Sequence, residues 1–260
     1  MRRVKDIDSP YLKALFYGQA GSTKTRTMGT AAFDERTAPV LWLDMGGNPF
    51  SIRDYEKKPD ILALESLEEL NPIYEWLVAG QPDSKVVEEL ELSPPYKTIV
   101  IDGVTEVQRR AFARATGAAQ DKPGDEVPSS TRQHFGRVLG YMVNFARLFY
   151  SLDMHVMISS LEREDKDEMT GAISYKPLLW GQSSGEVAGY AFLVARLLHR
   201  TRVEKKILRA AEDTITADST SVALFQPSGK YIAKDQYGKL PPFMADPTIP
   251  RIMDLIYGDA

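Results

Sequence analysis

The segment that most constrains this chain runs from Leu12 to Tyr17 and straight into Gly18-Gln19-Ala20-Gly21-Ser22-Thr23-Lys24-Thr25. A compact, half-apolar run ends at a glycine and a string of small residues. A helix is predicted to start near Lys24 and run to about Phe33. Strand, tight loop and helix in that order make a cradle for phosphate. Loop N–H groups point at phosphate oxygens, glycine lets the backbone come close, and the helix N-terminus adds a favourable dipole. On this reading Gly18, Gln19, Ala20, Gly21, Ser22, Thr23, Lys24, Thr25 and Arg26 hold the phosphates of a nucleotide. Lys24 sets its ammonium against the β and γ phosphates, and Thr25 puts its hydroxyl on Mg²⁺. The usual spacing, G-x-x-x-x-G-K-[ST], has glycine where this chain has Thr23. A near-helical backbone at Thr23 is the expectation, because it tolerates a Cβ.

Such a loop needs a second anchor for the metal. Thr98-Ile99-Val100-Ile101 is a continuous apolar run of the kind found in parallel strands buried on both faces, and it ends at Asp102. A carboxylate at the C-terminal edge of that strand faces the same crevice as the phosphate loop. Asp102 is therefore expected to hold Mg²⁺ together with Thr25. Asp44 ends another apolar strand, Val40-Leu41-Trp42-Leu43, and is a candidate to orient the attacking water. Glu106 is the rival for that role.

The rest of the chain reads as further strand–helix alternation. A strand is predicted at Ile61–Leu64, then a helix at Leu67–Val78 capped by Ser66 with Glu69 three residues on. Residues 79–95 read as a connector, 105–116 as a helix and 117–130 as a loop. Arg132–Leu152 fits a long amphipathic helix with Phe135, Leu139, Met142, Val143, Ala146 and Phe149 on its inner side. His155–Ser159 reads as a strand, Glu162–Lys176 as a long loop or hairpin, and Ser184–Phe192 as a short helix. Late strands are expected at Val194–His199, Val222–Phe225 and Tyr231–Ala233, and a closing helix at Ile249–Tyr257. The expected fold is α/β: a mostly parallel sheet flanked by helices, with a small C-terminal antiparallel β extension. The 260 residues are expected to form one domain, with a core at about 11–200 and the extension at 201–260.

Composition narrows the chemistry. There is no cysteine, so disulfides, thiol catalysis and cysteine-based metal sites are excluded. His134, His155 and His199 are scattered and read as structural. The net charge of −4 means that any nucleic-acid partner must find a local basic surface. The densest basic stretch is Arg196, Arg200, Arg202, Lys205, Lys206 and Arg209, with Arg132, Arg137 and Arg147 on the long helix. Tyr175 and Trp180 are candidates for stacking on single-stranded bases. No apolar run approaches the ~20 residues of a membrane helix, and Met1–Asp8 lacks the apolar stretch of a secretory signal. The expectation is a protein without a membrane partner, in the cytoplasm.

Together these segments resemble the RecA-like P-loop ATPases, and within them the phage nucleotide-binding recombinases of the Sak4 type. The resemblance covers roughly Leu12 to Gly258. His155–Ser159 with the charged segment after it is similar to the region following the fourth core strand of that family. There, polar residues sense the γ-phosphate and a loop contacts DNA. Ala233-Lys234-Asp235-Gln236-Tyr237-Gly238 resembles the K-N-R-F-G motif of RadA-type relatives, whose Lys and Arg reach a neighbouring subunit's ATP. Leu240-Pro241 and the segment from Asp246 to Tyr257 look like the tail of the phage proteins.

The resemblance implies ATP and Mg²⁺ as cofactors and slow, DNA-stimulated hydrolysis. Lys24, Asp102, Asp44 and Lys234 would be its catalytic residues. It also implies a ring or filament of identical subunits acting on single-stranded DNA in annealing or strand pairing. A single-strand DNA-binding protein is a companion, and the host cytoplasm the location if the chain is phage-encoded. Two positions depart from the family. Gly46 stands where RecA-type proteins place a Glu, and Gln236 where relatives carry Arg. A helicase-associated or loader ATPase and a nucleotide switch that does not hydrolyse are the alternatives.

Overall fold

The computed structural model describes residues 10–46, 49–83, 85–118, 130–199 and 221–258. Among the described residues ten strands form one sheet, in which six strands run parallel. These are β1 (Lys13–Gly18), β2 (Val40–Asp44), β3 (Asp60–Ala63), β4 (Thr98–Asp102), β5 (His155–Lys166) and β7 (Leu193–His199), lying in the order β7-β1-β5-β4-β2-β3. β6 (Ile173–Pro177) folds back on β5 as a hairpin, which resolves the loop-or-hairpin alternative for 162–176. β8 (Ser221–Leu224) and β9 (Lys234–Asp235) pair antiparallel with β7, and β10 (Phe243–Ala245) pairs with β8. This is the mostly parallel sheet with a small antiparallel part that the sequence predicts.

The central strands are mostly apolar because both faces are covered, and the pleat divides their side chains between two cores. Leu15, Tyr17, Leu41, Leu43, Ile99, Ile101, Val156 and Ile158 face one core. Leu12, Ala14, Phe16, Val40, Trp42, Val100 and Met157 face the other. Helices α2 (Leu70–Val78), α4 (Val104–Thr116), α5 (Arg132–Tyr150) and α6 (Ser183–Tyr190) contribute to the first core. Helices α1 (Lys24–Gly29) and α7 (Ile249–Tyr257) contribute to the second. A short helix, α3 (Lys85–Glu89), sits in the connector. Among the described residues no helix is long and apolar enough to cross a membrane.

Several boundaries differ from expectation. α1 stops at Gly29 and tightens into a 3₁₀ turn over Thr30–Phe33, where the Thr30 hydroxyl donates to the Thr27 carbonyl at 2.6 Å. α2 starts at Leu70 rather than Leu67. Glu69 Oε2 accepts from the backbone N–H groups of Glu65 and Ser66, so the carboxylate ties up the entry turn and Ser66 does not cap the helix. α5 is rotated from the predicted face. Val138 and Phe145 are buried with Met142, Ala146 and Phe149, while Phe135 is 46% exposed. Tyr231–Ala233 is not a strand. Tyr231 makes only isolated bridges, and the ladder falls on Lys234–Asp235 instead. β10 had no expectation at all.

Candidate functional site

β1, β4 and β5 bring the predicted phosphate and metal residues to one end of the sheet. β5 lies between β1 and β4, so their C-terminal ends open side by side. Gly18 ends β1 against a crowded wall. A Cβ there would stand 2.2 Å from the Leu197 carbonyl oxygen and 2.5 Å from Ser22 Oγ. Only glycine fits. Gly21 has φ 78° and open space around it, so backbone conformation is what selects glycine at that position. Ser22 N–H donates to the Gln19 carbonyl at 3.1 Å and closes the turn.

Thr23 corrects one expectation. Its backbone is left-handed, φ 68° and ψ 14°, not near-helical. A β-branched residue is strained there. Its Oγ1 is also buried without a hydrogen-bond partner. Glycine is the residue that this turn asks for, which explains the usual spacing in backbone terms.

Lys24 folds back over the loop. Its Nζ donates to the carbonyls of Gly18 and Gln19, both at 2.9 Å, and reaches Ser22 Oγ at 3.3 Å. Burial lowers its pKa to about 8, and Asp102 and Glu162 counter this only in part. A largely desolvated ammonium resting on neutral carbonyls is a site that an anion would stabilise.

Thr25 Oγ1 donates to Asp102 Oδ2 at 3.0 Å. Ser159 Oγ donates to Asp102 Oδ1 and accepts from Gly103 N–H at 2.9 Å. Burial pushes the Asp102 carboxyl up. The hydrogen bonds from Ser159 and Thr25 pull it down, Asp44 pushes it up, and Lys24 pulls it down. The hydroxyl and carboxylate form an all-oxygen donor pair of the type that suits Mg²⁺.

Asp44 lies beside Asp102 in the β2–β4 register, and its Oδ1 accepts from Gly46 N–H at 3.1 Å. A Cβ on Gly46 would stand 4.0 Å from Glu106 Cγ and 3.8 Å from an Arg110 guanidinium nitrogen. Glu106 therefore borders the space that a side chain at position 46 would enter. It is paired loosely with Arg109 and Arg110, at 3.6 and 3.5 Å.

Other candidates fall elsewhere. Lys234 lies on β9, away from the phosphate loop. Its Nζ donates to the Gly189 carbonyl at 2.8 Å, at the C-terminal end of α6. Arg196 does not line an open groove. It is buried in a bidentate pair with Glu162, at 2.6 and 3.1 Å, and its guanidinium lies 3.8 Å from the Tyr175 ring centroid. That contact occupies Tyr175 as well. Trp180 packs edge-on against Phe112 at 4.8 Å. Arg132, Arg137 and Arg147 remain exposed on α5. Arg200, Arg202, Lys205, Lys206 and Arg209 lie outside the described residues. His134 Nδ1 accepts from Thr131 N–H, and His155 Nδ1 from Leu12 N–H at 2.9 Å, which fits their structural reading. Glu162 was missed as a site residue. Its one signal was a carboxylate two residues beyond Ser160, after the buried run His155–Ser159.

A phosphate loop on β1, a strand-end carboxylate on β4 and a strand between them define a P-loop ATPase fold. A family model described as an AAA domain (AAA_24) matches residues 11–237, and the chain belongs to that family. No curated protein matches. Among solved structures, one isolated ATPase domain is similar at 12% identity, covering 97% of this chain and 84% of that one, with a TM-score of 0.48. A KaiC-like protein, PH0186 from Pyrococcus horikoshii OT3, is similar at 14% identity, 83% and 78% coverage and a TM-score of 0.39. The RadB recombinase is similar at 14% identity, 85% and 84% coverage and a TM-score of 0.39.

Proposed function

We propose that this chain is a Mg²⁺-dependent ATPase that works as a homo-oligomer on single-stranded DNA, in annealing or strand pairing of the Sak4 type. The observation that carries the nucleotide part is the Thr25–Asp102 contact, which joins the phosphate loop to the predicted metal carboxylate across 77 residues. Lys24 would leave the Gly18 and Gln19 carbonyls for the β and γ phosphates, trading neutral partners for charged ones. Thr25 and Asp102 would hold Mg²⁺. Bound there, the metal supplies charge neutralisation on the phosphate oxygens. Ser159 fixes Asp102 in place. Glu106, bordering Gly46, is better placed than the more buried Asp44 to orient water at the crevice mouth, and takes the role that a Glu at position 46 would fill.

The exposed Arg132, Arg137 and Arg147 of α5 offer phosphate contacts. The pairing of β8 and β9 on β7 supports reading residues 201–260 as an extension of the core. Lys234 would have to leave the end of α6 to reach a neighbour's nucleotide.

The test is ATP hydrolysis with and without a single-stranded oligonucleotide, for the unaltered protein and Lys24→Ala. Mg²⁺-dependent turnover that DNA stimulates and Lys24→Ala abolishes supports the reading. ATP binding without turnover under either condition supports the switch. DNA that leaves turnover unchanged removes the nucleic-acid part.

A further inference from the structure

Gly46 has φ 109°, a conformation that side chains rarely adopt, so any other residue at position 46 is strained on this backbone. Glu106 borders the same space from the first turn of α4. Arg110 lies four residues further on, on the same helical face. The Glu106 side chain is 34% exposed and that of Arg110 20%.

Arg110 is held at two corners. Its Nη1 donates to the Leu64 carbonyl at 2.7 Å, just beyond β3, and its Nη2 to the Met45 carbonyl at 3.2 Å, just beyond β2. Both anchors are themselves tied to the strand ends of the crevice. Leu64 N–H donates to the Asp44 carbonyl at 2.9 Å, and Met45 N–H to the Asp102 carbonyl at 3.1 Å. A guanidinium is planar, so fixing both Nη atoms also fixes where Nε points. Nε lies 3.5 Å from Glu106 Oε1. On the other side Arg109 Nη1 lies 3.6 Å from Glu106 Oε2, but the Arg109 side chain is mostly in solvent and such a pair contributes little. Both separations exceed a charge-assisted hydrogen bond. The carboxylate makes no closer contact of that kind among the described residues. It is steered by charge and keeps lone pairs for water.

We propose that Arg110 is a positioning residue for hydrolysis: its braced guanidinium sets the Glu106 carboxylate where it takes the proton of the attacking water. The proposal rests on the reading of Glu106 above. In that step the water oxygen bonds to the γ-phosphorus. The bond from that phosphorus to the β–γ bridging oxygen breaks, leaving its electron pair on ADP, and the water proton passes to Glu106 and on to solvent. Lysine cannot replace the brace, because an ammonium has no fork to span two carbonyls and a carboxylate.

The experiment measures kcat and KM for ATP hydrolysis, with calorimetric ATP binding, for the unaltered protein, Glu106→Gln, Glu106→Asp, Arg110→Lys and the double variant Glu106→Gln with Arg110→Lys. Glu106→Gln should lower kcat about a hundredfold or more and leave ATP binding unchanged. Glu106→Asp keeps the charge but withdraws it from Nε. That variant and Arg110→Lys should each lower kcat about tenfold or more with KM unchanged. In the Glu106→Gln background Arg110→Lys should cost nothing further, because the arginine acts through the carboxylate. An unchanged kcat in Arg110→Lys, or the same loss with and without Glu106, overturns the positioning role and leaves the Glu106 reading standing. Should Arg110→Lys not fold, Glu106→Asp decides, and a full kcat there overturns the role. Undiminished kcat in Glu106→Gln, or no turnover by the unaltered protein, overturns both.

Discussion

Thr25, in the first turn of α1, and Asp102, at the end of β4, meet as hydroxyl and carboxylate at 3.0 Å although they lie 77 positions apart in the chain. The contact is specific in a way that a chance Lys-Thr pair after a strand is not. Asp102→Asn should spare most of the nucleotide affinity measured without metal and lose the gain that Mg²⁺ brings. Titrations with Mg²⁺ and with a chelator check this. A variant with the normal Mg²⁺ dependence would assign the carboxylate another task.

Lys24 gives a pH signature. Its pKa of about 8 lies below the usual lysine value of 10.5 because burial disfavours the charge. The ammonium that attracts phosphate is therefore lost from the ligand-free protein as pH rises through about 8, and a bound triphosphate restores it. Nucleotide affinity should fall between pH 8 and 10, and binding in that range should take up a proton. Calorimetry in buffers of different ionisation enthalpy reads the uptake. Lys24→Ala should bind at least about tenfold more weakly near neutral pH and show no uptake from this group.

Thr23→Gly should stabilise the ligand-free protein. The left-handed backbone costs a β-branched residue roughly 1–2 kcal/mol, and the buried, unpartnered hydroxyl adds to that. Glycine gives back about 0.5–1 kcal/mol through its freer unfolded chain. Denaturant unfolding should show a net gain on the order of 1 kcal/mol. A loss would mean that the threonine makes a contribution that its geometry hides.

His155 sets an acid limit on stability. It is buried at the start of β5 with Nδ1 accepting from Leu12 N–H, and Tyr11 packs edge-on against the ring at 5.7 Å. Burial, with help from Lys13, lowers its pKa from 6.5 to about 4. Between those values the unfolded chain binds a proton that the folded chain does not, so stability falls as pH drops from about 6.5 towards 4. The full cost is on the order of 3 kcal/mol. Unfolding curves measured across that window should show it, and the slope should shrink in His155→Gln.

The sequence made the meeting of the loop with Asp102 at one sheet edge legible, and the surface less so. Gly18, Lys24, Thr25 and Asp102 were readable because a loop that cradles phosphate admits few residues, and because Ile99 and Ile101 announce a strand buried on both faces. The conformation of Thr23 was not readable, since nothing local forbids a near-helical threonine. Arg196 misled for a related reason. A basic residue among other basic residues looks solvated, and its partner Glu162 sits 34 residues away on a strand that only the sheet order brings near. The face of α5 shifted because Val138 and Phe145 fit the core as well as Leu139 and Val143 do, and packing chose between them.

The Arg196–Glu162 pair has side chains only 9% and 1% exposed and spans β1 from its two neighbours, at the level of Tyr17 and Gly18. Removing either half would strand a buried charge, at a cost of about 3–5 kcal/mol. Neither position can therefore drift alone over evolutionary time. Relatives that keep the arginine should keep the acid, and those that lose one should have replaced both with apolar residues of similar volume. The root of the phosphate loop is thus inherited as a coupled pair of codons, and the pair should be visible as covariation between positions 162 and 196.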